Sequence, residues 1–190
     1  MAEGTLFYVI GASGSGKDSL MRYGREHLAG DPGVVFAHRY ITRPVELHGE
    51  NHVALTEAEF DARLAAGLFA MHWESHGLRY GIGREINLWL AKGCNVVMNG
   101  SREYLPEARR GYPNLIAVLV TVSPEVLAAR LRARGRETEN QIALRLERAR
   151  EFMRPKGRVE IIQNDGELRE AGDRFVQLLP VADISAQAFA

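Results

Sequence analysis

The chain has a single cysteine, Cys94, so it can form no internal disulfide, and a fold without cross-links points to a reducing compartment, the cytoplasm. It has no apolar run approaching the ~18 residues of a membrane span, and its start lacks a basic stretch leading into a long apolar core. Neither membrane insertion nor export is expected. Net charge is missing too: 24 Lys and Arg balance 24 Asp and Glu, which removes the global electrostatic case for nucleic acid or a membrane surface as partner. No repeat, linker or low-complexity segment interrupts the 190 residues, whose 46% hydrophobic content suits one globular domain with a sizeable core. Cys94, in the apolar stretch Cys94–Met98, reads as a small buried hydrophobe.

What is present in strength is a loop. The apolar run Leu6–Ile10 leads directly into Gly11-Ala12-Ser13-Gly14-Ser15-Gly16-Lys17-Asp18, the G-x-x-x-x-G-K spacing of a phosphate-cradling P-loop, and a helix-forming stretch follows. Gly11, Gly14 and Gly16 let the backbone take positive φ and come close to an anion. Successive N–H groups and the start of the next helix then point at phosphates. Lys17 adds a mobile cation for the β- and γ-phosphates, so Gly11 through Ser19 is assigned to ATP. The position after the lysine, usually a Ser or Thr that ligates Mg²⁺, is Asp18, and Ser19 follows it. Either is a candidate ligand, Asp18 because carboxylates suit Mg²⁺.

Basic residues crowd one region: Arg130, Arg132, Arg134, Arg136, Arg145, Arg148, Arg150, Arg154, Lys156 and Arg158. In a neutral chain this suggests one anionic ligand rather than a polyanion. Several of them, such as Arg150 near Glu147, read simply as solvated helix pairs.

Short strands rich in Val, Ile and Leu are expected at Leu6–Ile10, Val34–His38, Asn95–Asn99, Leu115–Val122 and Val159–Gln163. Helices are expected at Lys17–Leu28, Arg84–Lys92, Pro124–Gly135, Glu139–Arg154 and Glu167–Leu179. Ser123-Pro124 is an N-cap with proline at the first helical position, and Thr56-x-x-Glu59 and Thr138-x-x-Gln141 have capping-box spacing. Strand–helix alternation with unbroken apolar strands predicts a three-layer α/β fold around a parallel five-stranded sheet. Residues 39–82 break the rhythm. They read as an inserted substrate-binding lobe, with a helix near Thr56–Ala66 and short extended segments near Val53 and Phe69. The tail Val181–Ala190 reads as peripheral.

Together these segments resemble the guanylate kinase group of P-loop kinases over nearly the whole chain. Besides the loop, three matches carry the resemblance: Thr42-Arg43 followed by Gly49-Glu50, His76-Gly77-Leu78-Arg79-Tyr80-Gly81, and the arginine-rich lid segment Arg130-Leu131…Arg134-Gly135…Thr138-Glu139…Arg145-Leu146. The resemblance implies one P-loop kinase domain with a core at 1–38 and 83–190, the substrate lobe at about 39–82 and a lid at about 130–150. It implies that Arg134 and Arg145 reach the transferring phosphoryl, with Lys17 as the third catalytic cation, and that Arg130 packs on the adenine or its phosphates.

The acceptor side departs from that pattern in a patterned way. Arg43 and Tyr80 match an arginine and a tyrosine that hold the acceptor's phosphate, while the second phosphate arginine falls at about Glu46 and a further tyrosine is replaced by His52. The two guanine-reading positions fall at Met71 and Ile82, which cannot hydrogen-bond a base. A site that needs buried polar partners discriminates by their presence, often by ~10⁴ or more. The acceptor implied therefore carries a phosphate but no guanine. With the Gly-x-Ser-Gly-x-Gly-Lys-Asp-Ser loop and Val97-Met98-Asn99-Gly100-Ser101-Arg102, the chain resembles the branch of the group that phosphorylates ribose 1,5-bisphosphate. Its small-molecule partner is then a phosphorylated sugar, with His52, Arg79, Asn99 and Arg102 available as further donors beside Arg43 and Tyr80. A divergent guanylate kinase, a kinase for another small phosphorylated acceptor and a non-catalytic binding module are the alternatives. The intact Gly16-Lys17 loop and the lid arginines disfavour the last.

Overall fold

The computed structural model describes residues 3–45, 52–135, 137–151 and 157–179, the side chains of 150 and 151 excepted. Glu46, Gly49, Glu50, Arg136, Arg154, Lys156 and the tail 181–190, all named above, lie outside the described residues.

The five expected strands form one sheet. Its members are β1 (Leu6–Gly11), β2 (Val34–Phe36), β7 (Asn95–Asn99), β8 (Ile116–Thr121) and β9 (Val159–Gln163), in the order β2-β7-β1-β8-β9. The β2–β7 and β8–β9 pairs are parallel, with Val34 opposite Asn95 and Ala117 opposite Val159. The central strands are buried almost without interruption, because a parallel sheet covered on both faces leaves no side for polar residues.

The segment between β2 and β7 holds a second sheet: β3 (Arg39–Ile41), β4 (His52–Ala54), β5 (Phe69–Ser75) and β6 (Leu78–Gly83), ordered β4-β3-β6-β5. Here β5 alternates buried and exposed residues, the signature of a sheet with one wet face. The helix α2 (Glu57–Ala65) starts at Thr56, whose capping box with Glu59 is complete. It buries Phe60 against Leu55 and Phe69. The remaining helices are α1 (Lys17–His27), α3 (Glu85–Ala91), α4 (Leu105–Gly111), α5 (Pro124–Arg134), α6 (Glu139–Glu151) and α7 (Leu168–Leu178).

The chain divides into two compact units. One takes in Gly30–Leu115 with the start of the chain through Tyr8; the other takes in Val9–Ala29 and Ile116–Leu178. The first carries the second sheet, α3 and α4. The second carries the Gly11–Lys17 loop and the arginine-rich pair α5 and α6, packed through Leu127, Ala128, Leu131 and Ile142.

Candidate functional site

The loop is shaped by its glycines. Gly14 and Gly16 take φ of 94° and 84°, conformations that side-chain-bearing residues resist, and a methyl at Gly16 would run into the amide of Asn164. Gly16 sits immediately before α1, so the N–H groups of the helix's first turn open at the loop. Ser15 N–H donates to the Ala12 carbonyl at 3.0 Å, tightening the curl, while Ser13 stays exposed. Lys17 Nζ rests on Asp18 Oδ1 at 2.9 Å, a pair whose carboxylate is two-thirds exposed. Ser19 follows on α1, half-buried.

Behind this curl lies a brace that the sequence does not announce. Asn164, 3% exposed, donates its side-chain amide to the Ser15 carbonyl at 2.7 Å. Arg130 donates to the Asn164 carbonyl at 2.8 Å and to the Ser15 carbonyl at 3.4 Å. The guanidinium of Arg130 is thus bound to protein carbonyls and fixes the loop's backbone. The neighbouring Asp165 accepts from the Ser123 N–H at 2.6 Å at the start of α5 and from Gln163 at 2.6 Å. The Ser123 bond, first among the causes, holds its carboxyl below the usual range.

The lid segment supplies cations to the same unit. Ser123 caps α5, Gly135 ends it at φ 62°, and Thr138 with Gln141 forms the box that starts α6. Arg132 forks onto Glu139 with two bonds of 2.8 Å, tying the helices together. Arg145 donates to Ser13 Oγ at 2.7 Å and pairs with Glu137 at 3.1 Å. Arg134 is exposed. It joins Ser13, Glu137, Gln141, Arg145 and Arg148 around a groove of about 450 Å³. The second carboxylate oxygen of Glu137 is buried without a hydrogen-bond partner, a further group that motif matching passes over.

In the first unit the acceptor candidates gather on β3 and β6. The Arg79 N–H donates to Thr42 Oγ1 at 2.9 Å and the Thr42 N–H to the Arg79 carbonyl at 3.1 Å, which continues the antiparallel register in which Ile41 faces Tyr80. His52, buried, bonds the Arg43 carbonyl through Nε2 at 3.0 Å, which anchors the backbone that presents Arg43. Arg43 Nε is buried with no hydrogen-bond partner, a donor left open. Tyr80 is 9% exposed beneath the Arg39 guanidinium, 5.0 Å from its ring. Arg79 is held within its own unit. It bonds Asp61 at 2.6 Å and Glu57 at 3.3 Å and lies 4.3 Å over the Phe60 ring, bonds that raise its already high pKa.

Asn99 ends β7 fully buried and Arg102 follows half-buried, its pKa lowered by desolvation. Met71 and Ile82 are cross-strand partners at 2% and 0% exposure. No polar group stands at either place.

A glycine loop opening a helix, a lysine at its end, and a parallel sheet with arginines from a lid define a P-loop kinase of the α/β class. A guanylate kinase from Anaplasma phagocytophilum shares the fold at a TM-score of 0.65, with 16% identity, all of this chain covered and 89% of that one. No family model matches the sequence, but whole-length relatives do. Ribose 1,5-bisphosphate phosphokinase PhnN of Thiobacillus denitrificans is 80% identical over 190 residues, all of both chains. The PhnN of Chromobacterium violaceum is 54% identical over 176 residues, 93% of this chain and 94% of that one. This chain belongs to the ribose 1,5-bisphosphate phosphokinase family. No helix among the described residues is long and apolar enough to cross a membrane.

Proposed function

We infer that the chain transfers the γ-phosphoryl of ATP to the 1-phosphate of ribose 1,5-bisphosphate, giving 5-phosphoribosyl 1-diphosphate and ADP. The observation that carries this reading is on the acceptor side: an open Arg43 donor for a phosphate stands in a lobe whose base-reading positions are the buried apolar pair Met71 and Ile82. A sugar bisphosphate has no base to read. Family membership supports the same acceptor.

An oxygen of the acceptor's 1-phosphate attacks the γ-phosphorus, the bond to the bridging β-oxygen breaks, and ADP departs with that electron pair. The attacking oxygen is already anionic, so no strong general base is required. The obstacle is the repulsion between two polyanions, and positioned cations meet it. The loop N–H groups hold the β-phosphate. Lys17 leaves Asp18 for the β- and γ-oxygens, and Arg134 and Arg145 take up charge on the transferring group. Arg43 and Tyr80 hold the acceptor, with His52 fixing the Arg43 backbone and Asn99 and Arg102 serving the sugar and the second phosphate. No cluster of three acidic, His or Cys residues that could cage a cation occurs among the described residues, which fits a Mg²⁺ held by one protein group and phosphates. Asp18 or Ser19 would hold it. When bound, Mg²⁺ screens the β- and γ-oxygens.

The test is an acceptor screen with ATP and Mg²⁺ over ribose 1,5-bisphosphate, GMP, dGMP, AMP and ribose 5-phosphate. Ribose 1,5-bisphosphate should exceed GMP in kcat/KM by at least about 10²-fold, some 2.7 kcal/mol of transition-state discrimination. Lys17→Ala, a loop change outside the core, should abolish turnover in a folded protein. A preference for GMP would overturn the reading and make the enzyme a divergent guanylate kinase.

A further inference from the structure

On the buried face of the β5–β6 pair, four side chains make a square. Met71 faces Ile82, Trp73 faces Tyr80, and the two-residue alternation of each strand brings all four to one side. All four are at most 9% exposed. Tyr80 belongs to the acceptor's phosphate site in the reading above, and Met71 and Ile82 stand where base-reading groups would be. Trp73 is the remaining corner. Its indole lies parallel to the Tyr80 ring, centroids 5.5 Å apart at 5°, and stacks with the Tyr104 ring at 5.4 Å and 28°. Arg39 covers Tyr80 in turn. These spacings fall within the range of favourable ring pairs, so the column is an ordered stack rather than loose apolar filling.

An indole is a fused five- and six-membered aromatic ring, close in outline and thickness to a purine. We propose that Trp73 fills the base subsite of the acceptor lobe with the chain's own bicyclic ring, so that a base-free phosphorylated ribose meets a completed pocket and a nucleotide meets an occupied one. Trp73 is then the specificity-determining residue of the acceptor site. The apolar residues at Met71 and Ile82 and the presence of Trp73 then belong together: apolar walls suit a resident indole and offer a guanine's polar edge no partner. The proposal rests on the acceptor reading given above, and the experiment separates the two.

Wild type, Trp73→Ala and Trp73→Phe are compared with ATP and ribose 1,5-bisphosphate, GMP or AMP as acceptors, with and without millimolar indole. Truncation leaves a ring-lined apolar cavity of the kind that takes up small aromatics. In Trp73→Ala the KM for ribose 1,5-bisphosphate should rise about tenfold with a smaller change in kcat, and added indole should bring it back. The kcat/KM for GMP and for AMP should both rise about tenfold, because shape is released while no polar reader is supplied. Trp73→Phe should lie between. An unchanged ratio between sugar and nucleotide acceptors in folded Trp73→Ala, or indole without effect on its KM, overturns the proposal. Should circular dichroism show Trp73→Ala unfolded, the ratio in Trp73→Phe decides by the same criterion. Wild type inactive on ribose 1,5-bisphosphate is a separate result, which sinks the acceptor reading itself.

Discussion

Asn164 donates its side-chain amide to the carbonyl of Ser15 at 2.7 Å, joining the end of β9 to the middle of the phosphate loop across 149 residues of sequence. Asn164→Ala removes the donor, leaves that carbonyl short of a partner and opens space beside Gly16. A buried group stripped of its bond costs about 1–3 kcal/mol. The expected result is a lower melting temperature together with a KM for ATP raised about tenfold, while the KM for the acceptor stays near wild type. Asn164→Asp, which keeps the shape and turns a donor into an anion, should weaken ATP further.

Arg134 and Arg145 share a groove but differ in what they touch. Arg134 stands exposed in it, whereas Arg145 holds Ser13. Arginines that stabilise a transferring phosphoryl are worth on the order of 10³ or more in kcat. Arg134→Ala should lower kcat on that scale with the KM for ATP little changed, and Arg145→Ala should lower kcat and raise that KM as well. Steady-state kinetics distinguishes them, and a change confined to KM in both variants would remove the transition-state role.

Arg43 follows β3 and Arg79 lies on the adjacent strand β6, yet the two should fail differently. Arg43→Ala deletes a charge-assisted phosphate donor and should raise the acceptor's KM by one to two orders of magnitude, roughly 1.4–2.7 kcal/mol. Arg79→Ala deletes pairs to Asp61 and Glu57, whose carboxylates are more than 60% exposed, together with a stack on Phe60. Exposed pairs contribute little, about 0–1 kcal/mol. Its effect should be a melting temperature lower by a few degrees with the acceptor's KM unchanged.

Asp165 gives a pH test. The Ser123 N–H holds its folded pKa below the unfolded value of about 3.9. A depressed carboxylate contributes stability that is fully present above the unfolded value and is lost as pH falls through the folded one. Urea midpoints of wild type and Asp165→Asn should therefore differ by a constant amount from pH 7 to about pH 5, and the gap should close towards pH 3.

The three buried strands β1, β7 and β8 were legible because a doubly covered parallel strand is a nearly unbroken apolar run, whereas β2 and β9 at the edges are only partly buried. The second sheet was legible only in part. β3 and β4 are three residues each, too short for any period to declare itself, and only the neighbourhood of Val53 and the start of β5 at Phe69 could be marked. The turn between β5 and β6 is His76-Gly77, both at positive φ, 52° and 73°, the geometry of a tight two-residue hairpin. His-Gly was read as a family motif, and its use as a turn went unread. The helix α4 was missed: it is seven residues long, Pro106 is its strongest signal, and its first residue has no side-chain cap.

At the candidate site, sequence pointed to residues but not to their partners. Lys17 follows the glycine loop, Arg145 reaches Ser13 in it, and Arg43 keeps an open Nε donor. Arg79 and Arg130 carried the same charge and the same motif match, yet carboxylates from α2 and carbonyls from the loop and β9 hold them. An arginine's identity is local, whereas its occupation depends on contacts tens of residues away. Asn164 had no local signal at all, since a lone asparagine after a strand is also an ordinary turn residue.

Beside the apolar contact of Leu127, Ala128, Leu131 and Ile142, α5 and α6 are joined by a charged pair, Arg132 to Glu139, and Arg145 of α6 pairs with Glu137 while it donates to Ser13 in the loop. The second sheet is held chiefly by stacked rings and backbone ladders, with the pairs of Arg79 to Asp61 and Glu57 at its surface. Dissolved ions weaken such pairs and leave stacking and backbone bonds almost untouched, since screening acts over about 8 Å at physiological ionic strength. The salt content of the surrounding medium thus bears on how firmly the charged pairs of α5 and α6 hold, while the rings and ladders of the second sheet keep their shape.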